Sequence, residues 1–167
     1  MLELAEPSKE YEKSFIEAAH EFANEGSPEG SEAISDFDAY ISNLRAESEG
    51  KSLKPNYVPA STFWLIDDGS YIGRVNIRHS LNKTLEKVGG HIGYAIRPTK
   101  RKQGYGRAAL EMALPQAKKI GLSRVLITCD EDNMGSRKII ESSGGRLRDT
   151  VSEKQGKLTR RYWIVLD

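Results

Sequence analysis

The sequence predicts an α/β domain of the α+β kind, a mixed and mostly antiparallel sheet of about seven strands flanked by about four helices. Strand-like and helix-like segments follow one another in the order β, α, α, β, β, β, α, β, α, β, β. Tight-turn signals at residues 67–70 and 154–157 separate segments that we expect to pair as hairpins. The 167 residues suffice for a sizeable core, and we expect one domain over residues 1–167.

The first third of the chain predicts a strand and two helices. Residues 2–5 form the strand, and Pro7 with Ser8 resembles a helix start. Residues 34–48 form the second helix, and residues 50–59 form a loop that is a candidate mobile lid. The apolar stripes of the two helices are Phe15, Ala18, Ala19 and Phe22, and then Phe37, Tyr40, Ile41 and Leu44.

The middle of the chain predicts three strands, at residues 62–66, 71–79 and 91–97. Asp67-Asp68-Gly69-Ser70 joins the first two as a hairpin turn. A polar connection with a helical turn precedes the third. Because side chains alternate along a strand, one face of the second strand carries Tyr71, Gly73, Val75, Ile77 and His79, and the other carries Arg74, Asn76 and Arg78.

The last third predicts a helix, a buried strand, a second helix and a hairpin. The first helix covers about residues 104–120, and the nearly all-apolar strand covers residues 125–129. Asn133 is well placed as the N-cap of the next helix, which ends at Gly144. Residues 146–152 and 158–166 form the final hairpin.

The composition excludes several classes of protein. Twenty-five basic and 24 acidic residues give a net charge of +1, which does not indicate a nucleic-acid partner. The single cysteine, Cys129, excludes an internal disulfide and fits a reducing compartment. The sequence shows no signal peptide and no apolar run of about 20 residues, so we expect a cytoplasmic protein without a membrane partner.

A basic, glycine-containing stretch between the third middle strand and the following helix is the most informative motif. Residues 97–109 read Arg-Pro-Thr-Lys-Arg-Lys-Gln-Gly-Tyr-Gly-Arg-Ala-Ala. A helix start presents unpaired N–H groups and the positive end of the peptide dipole, and glycine allows close approach of the backbone. The stretch predicts a cradle for a diphosphate.

The same stretch resembles the GCN5-related N-acetyltransferase (GNAT) superfamily. Arg101-x-x-Gly104-x-Gly106 matches that family's R-x-x-G-x-G/A signature, and the segment from Asn133 to the glycine pair at 144–145 resembles its second landmark. The resemblance is strongest over residues 62–144. It implies the family's splayed sheet, open between strands 4 and 5, acetyl-CoA as co-substrate with no metal, and acyl transfer to a small-molecule or peptide amine. A homodimer is common in the family, and the sequence leaves this open.

The resemblance also implies how acetyl-CoA is held. The loop backbone would bind the pyrophosphate, and the edge of the preceding strand would pair with the pantetheine arm and supply an oxyanion donor. Asn133 would bond the arm, and Ser136 could add a contact. The implied cofactor-binding residues are Tyr94, Ala95, Ile96, Arg101, Lys102, Gln103, Gly104, Tyr105, Gly106, Arg107, Asn133 and Ser136.

The catalytic acid and base are less constrained by the sequence. Many family members carry a tyrosine seven residues after the asparagine, but this chain has Ile140 there. Tyr162, Tyr94 or a water could protonate the thiolate instead. His91 is the first candidate base because histidine titrates near neutral pH, followed by Glu131 in the acidic run at the end of its strand, and then His79.

Two alternatives remain beside the acetyltransferase. Gly104-x-Gly106-x-x-Ala109 formally fits a dinucleotide-binding fingerprint, but too few residues follow for a doubly wound domain. A P-loop is excluded because no Gly-Lys-Ser/Thr follows. A non-catalytic CoA-binding module also fits, since Ile140 cannot donate a proton.

Overall fold

The computed structural model describes all residues, 1–167, as two antiparallel sheets with helices packed against them. The first sheet has the order β1-β2-β3-β4 and the second the order β5-β7-β6. The strands are β1 (Leu2–Ala5), β2 (Ala60–Asp67), β3 (Ser70–Arg78), β4 (Ile92–Ile96), β5 (Arg124–Asp130), β6 (Arg146–Ser152) and β7 (Leu158–Val165). The seven predicted strands are confirmed, and the sheet opens between β4 and β5.

The structure contains six α-helices where the sequence indicated about four. They are α1 (Glu12–Asn24), α2 (Ser31–Ser35), α3 (Phe37–Ser48), α4 (Lys83–Lys87), α5 (Tyr105–Ile120) and α6 (Met134–Ser142). The predicted helix over 34–48 is two helices, because Asp36 is extended (φ −155°) and its side chain accepts the Ala39 N–H at 2.9 Å as the N-cap of α3.

The β2–β3 hairpin forms where the turn signal placed it. Its two turn residues, Asp68 and Gly69, have φ of 46° and 74°, as a twisted two-residue hairpin requires. A register shift between Leu65 and Ile66 then moves Tyr71 to the other face of the sheet. Tyr71 therefore packs on Phe15 and Trp64 and does not share the face of Val75 as the alternation had predicted.

Two apolar cores hold these elements together. The larger lies between both sheets and α5 and α6, and includes Val75, Leu110, Ile127 and Ile140. The smaller lies between the first sheet and helices α1 to α3, around Trp64. The two sheets thus share one core on the α5–α6 side, while their opposite face stays open where β4 and β5 separate.

None of the helices combines the length and apolar character needed to cross a lipid bilayer. No three His, Cys, Asp or Glu side chains lie together in a way that could hold a metal ion.

Candidate active site

The two sheets meet at one end of β4 and β5 and diverge from there. The His91 N–H donates to the Leu126 carbonyl at 2.7 Å, and His91 Nδ1 accepts the Leu126 N–H at 2.9 Å. Beyond this junction the two strands belong to separate sheets, and a cavity of about 330 Å³ lies between them. The cavity is lined by Arg78, Val88, Gly89, Ile92, Gly93, Tyr94, Ile127, Thr128, Cys129, Asp130, Asn133, Ser136, Ile140 and Thr159.

This cleft is lined by residues from both faces of the sheet, and its two sides, called mouths below, differ chemically. Tyr94 and Ile140 belong to the core on the α5–α6 side. Ile77 and Ile127 also face that core, so their strand neighbours Arg78 and Thr128 point to the opposite side. One mouth is therefore formed largely by aromatic and aliphatic groups, and the other by charged and polar groups.

The edge of β4 that faces the cleft has free backbone groups. The Arg97 N–H donates to Ile72 on β3 at 2.8 Å. Because N–H directions alternate along a strand, the Tyr94 and Ile96 N–H groups point into the cleft, while that of Ala95 points to β3. Of the three predicted backbone contacts, only Tyr94 and Ile96 are thus available to an extended ligand.

The loop after β4 presents consecutive unpaired N–H groups. The backbone N–H groups of residues 102–107 have no acceptor within the protein. The first hydrogen bond of α5 is donated by the Ala108 N–H to the Gly104 carbonyl at 3.1 Å. Lys102 and Gly104 adopt positive φ, 60° and 87°. When residues with left-handed backbone alternate with ordinary residues, successive N–H groups point toward one centre and form an anion-binding concavity. The structure therefore brings the predicted cradle together at the N-terminus of α5.

The side chains of this loop mostly anchor it. Arg101 donates to Glu25 of α1 at 3.0 Å and to the Ile96 carbonyl at 3.1 Å. Tyr105 donates to Asp67 at 2.8 Å. The Gln103 side chain donates to the Thr99 carbonyl, and Arg107 pairs with Glu111. Among the loop cations, only Lys100 and Lys102 therefore form no ion pair. Arg101 therefore orients the loop, and the two lysines are free to neutralise an anion.

The start of α6 forms the far wall of the cleft. Asn133 Oδ1 accepts the Ser136 N–H at 3.1 Å, which confirms its role as N-cap. Its side-chain amide N–H₂ donates to no group of the protein and lies at the cleft, so capping and ligand binding are compatible. Ser136 lies one turn further along the same wall.

Tyr94 is the one tyrosine among the residues that line the cleft. Its hydroxyl is buried and makes no hydrogen bond of good geometry, although the Ser136 side chain lies close enough to interact with it. Burial raises the pKa of Tyr94, and the neighbouring Ser136 hydroxyl opposes part of that rise. The phenol therefore stays protonated at neutral pH, beside Ile140 on the same wall.

Neither Tyr162 nor Glu131 lines the cleft, although the sequence nominated both for catalysis. Tyr162 is fully buried under α6, where it donates to Glu141 at 2.9 Å. Glu131 lies beyond the end of β5, where its carboxylate faces Arg160 at 3.6 Å. Asp130, the first residue of the acidic run, lines the cleft instead, because it is the last residue of β5.

His91 lies at the cleft junction, but its hydrogen bonding argues against a role as base. Since the Leu126 N–H can only donate, Nδ1 is an acceptor, and the neutral ring carries its proton on Nε2. A proton could be accepted only at Nδ1, which would break this bond. Burial, helped by Arg78 and Arg124, lowers the pKa of His91. The geometry assigns His91 a structural role at the point where the sheets join.

This role predicts a stability effect of His91 variants. His91→Ala leaves the buried Leu126 N–H without an acceptor, and we expect a loss of about 1–3 kcal/mol in urea unfolding. His91→Asn, whose side-chain oxygen can accept the same N–H, should lose less.

The pH dependence gives a second measurement of that role. Because the folded-state pKa is lowered below 6.5, His91 destabilises the fold as pH falls below that value, and the effect is absent above it. The wild type should lose more stability than His91→Asn between pH 7 and 5. His79, whose pKa burial also lowers, is present in both proteins and cancels in the comparison. Equal pH profiles would contradict the assignment.

Cys129 lines the cleft and is half-buried, although it ends a strand that the sequence predicted to be buried. Burial raises the pKa of the thiol, which keeps it protonated at neutral pH. Asp130 and Arg78 also line the cleft, and neither was among the predicted site residues. The alternation of side chains on β3 and β5 was the signal that could have placed both on one face.

Comparison with known proteins agrees with this geometry. Residues 9–146 match the family model of the acetyltransferase (GNAT) domain. No curated protein sequence matches the chain.

Solved structures of acetyltransferases share the fold. RimL, a ribosomal L7/L12 α-N-protein acetyltransferase in complex with coenzyme A, aligns with a TM-score of 0.71 at 13% identity, over 99% of this chain and 94% of that one. The acetyltransferase from Salmonella typhimurium that modifies the N-terminal serine of L7/L12 aligns with a TM-score of 0.68 at 13% identity, over 99% and 95%. The microcin C7 self-immunity acetyltransferase MccE, in complex with acetyl-CoA and AMP, aligns with a TM-score of 0.70 at 16% identity, over 98% and 92%.

The TM-scores show a common fold despite the low identities, and the family match, which spans most of the chain, shows the family. The chain belongs to the GNAT family and is an acetyl-CoA-dependent N-acetyltransferase.

Proposed function

We propose that the chain acetylates a primary amine by direct attack on the thioester of acetyl-CoA, inside the cleft between β4 and β5. The observation that carries the proposal is the run of six N–H groups without internal acceptors at residues 102–107, at the end of the strand that lines the cleft. The run offers a diphosphate a site next to this cleft.

The remaining parts of acetyl-CoA fit groups that have no partner within the protein. The free N–H groups of Tyr94 and Ile96 suit an extended, amide-containing arm that adds to the sheet edge. The Asn133 amide donor lies across from them on α6. Lys100 and Lys102 supply positive charge near the phosphates. All of these groups lie on or near the α5–α6 side, so we place the co-substrate there and the amine at the opposite mouth.

The chemistry needs a C–N bond to form and the C–S bond to break, while one proton moves from the amine to the thiolate. A backbone N–H on the free edge of β4 suits the developing oxyanion. Tyr94 is our proposed acid, because it lines the cleft and its buried hydroxyl has no side-chain neighbour able to accept its proton except Ser136. Asp130, on the acceptor side, is our proposed base: its carboxylate would bind the incoming ammonium group and accept its proton. It takes the role that the sequence had given to the nearby Glu131.

Two measurements test the function. Calorimetry should detect binding of CoA, and release of free CoA thiol should follow when acetyl-CoA is mixed with an acceptor amine. Binding without thiol release from any amine would favour a cofactor-binding module, and no binding would refute the cradle. A homodimer and a cytoplasmic location stay predictions.

Asn133 variants separate the two roles of that residue. Asn133→Ser keeps a side-chain oxygen that can cap α6 but removes the amide donor. We expect its thermal stability to stay near that of the wild type while CoA binds about 3- to 10-fold more weakly, the effect of one lost hydrogen bond. Asn133→Ala should lose both the cap and the affinity. If Asn133→Ser binds CoA like the wild type, Asn133 is only a cap.

A further inference from the structure

Arg78 forms no ion pair at the acceptor mouth of the cleft, although Glu47, which lines the neighbouring pocket with it, attracts its charge. Its Nη1 donates to the carbonyls of Gly89 and Gly90, at 3.2 and 3.0 Å. No carboxylate pairs with it, and its remaining N–H groups have no acceptor within the protein. The side chain is partly buried and lines both the cleft and a neighbouring pocket. A guanidinium in this position can still offer a fork of donors to an anion.

Several other partly buried arginines near the sheets are paired with a carboxylate, whereas Arg137 of α6 donates only to the Glu131 carbonyl and the Met134 sulfur. Arg74, four residues earlier on the same face of β3, is paired with Glu29. Arg97 pairs with Glu21 at 2.7 Å, and Arg161 pairs with Asp149 at 2.6 Å. Holding a charge away from water without a partner costs free energy. An anionic ligand would give Arg78 the carboxylate partner that Arg74, Arg97 and Arg161 have within the protein.

An opposite charge lies across the same cleft. Asp130 also lines the cavity, on the β5 side, and points to the same face of the sheet as Arg78. Its carboxylate is half-exposed and contacts Lys157 at 3.0 Å, at the outer rim. An ammonium near Asp130 and an anion at Arg78 would thus lie in one cavity of about 330 Å³, next to the free edge of β4.

A second pocket of about 480 Å³ opens on the far side of Arg78. It lies between the end of α3, strand β3 and helix α4, and it is lined by both apolar and polar groups, among them Tyr57, Val58, Leu85, Asn76 and Asn82. The pocket offers space for the rest of a small molecule whose charged end lies at Arg78.

We propose that the acceptor is a free amino acid, whose carboxylate binds Arg78 while its amine enters the cleft toward Asp130 and its side chain occupies the second pocket. The proposal rests on the proposed function and narrows its acceptor. A protein N-terminus is disfavoured, because its α-carbonyl is an amide and brings no negative charge to Arg78.

The experiment compares matched acceptors. The twenty amino acids, their carboxamides and the corresponding decarboxylated amines are offered with acetyl-CoA, and kcat/KM is taken from release of CoA thiol. The carboxamide mimics a peptide N-terminus. For the best amino acid we expect kcat/KM to exceed that of its carboxamide by about 10- to 100-fold, the value of a charge-assisted hydrogen-bonded pair. Arg78→Met should bring this ratio close to 1, mainly through KM, and Arg78→Lys should restore it in part.

Controls separate binding from folding. Arg74→Met removes an arginine of the same strand and face whose charge is already neutralised, so it should leave the ratio unchanged even if stability falls. A purely structural role of Arg78 would lower kcat/KM for the amino acid and its carboxamide equally, and that result would overturn the proposal.

The outcomes also distinguish this inference from the proposed function. If amines are acetylated but amino acids and carboxamides react alike, the acceptor assignment fails and the N-acetyltransferase function stands. If acetyl-CoA binds but no amino acid is acetylated, the acceptor assignment is likewise refuted. If CoA does not bind at all, the proposed function fails, and calorimetry with amino acids alone, comparing wild type and Arg78→Met, decides whether the carboxylate site exists.

Discussion

Gly104→Asp is expected to weaken CoA binding by about 100-fold or more, the largest effect on affinity that the structure predicts. The substitution places a carboxylate among the unpaired N–H groups of residues 102–107, where it can accept these hydrogen bonds itself and repel the phosphates. Calorimetry with CoA measures the effect. Because nothing lies within 4 Å of a Cβ at this position, steric disruption of the fold is not expected.

Gly104→Ala is the matched control. It shares the cost of a side chain at φ 87°, about 1 kcal/mol, but adds no charge. We expect similar melting temperatures for the two variants and a much smaller loss of affinity for the alanine. Equal affinities of the two variants would show that the charge is irrelevant, and the phosphates would then have to bind away from this loop.

The cradle was predictable because its cause is local. Glycines, cations and a helix start within a dozen residues determine the free N–H groups, and no distant contact is needed to form them. The hairpin at Asp68 and Gly69 was predictable for the same reason. The role of Arg101 was not, since its partner Glu25 lies 76 residues away in the sequence and reaches it only through the packing of α1.

The catalytic candidates depend on tertiary contacts, which the sequence does not show. His91 has a suitable intrinsic pKa, but the Leu126 N–H occupies its basic nitrogen, and no local pattern reveals that pairing. Tyr162 faces the core because it pairs with Ile127 of β5, whose side chain lies on the core face of the sheet. The register shift that turns Tyr71 over likewise depends on how β2 meets β3, so alternation alone gave the wrong face.

Tyr94→Phe is expected to lower kcat by about 100-fold while CoA affinity stays close to that of the wild type. The cofactor contacts that we assign to Tyr94 come from its backbone, which the substitution leaves in place. The lost group is the hydroxyl alone, which is buried next to the Ser136 side chain on a residue that lines the cleft. Steady-state thiol release measures kcat, and calorimetry measures the affinity.

Two comparisons make this test specific. Tyr162→Phe also removes a buried hydroxyl, but one that bonds Glu141 outside the cleft, so stability should fall by about 1 kcal/mol with little change in kcat. In Tyr94→Phe/Ile140→Tyr, a phenol returns to the same cleft wall from α6, and part of the activity should return with it.

Since burial raises the pKa of Tyr94, any alkaline decline of kcat that reports its ionisation should lie above pH 10 in the wild type and disappear in Tyr94→Phe. A kcat that is unchanged in Tyr94→Phe would mean that the thiolate leaves without protonation by this residue, and Tyr94 would then be limited to packing beside the co-substrate.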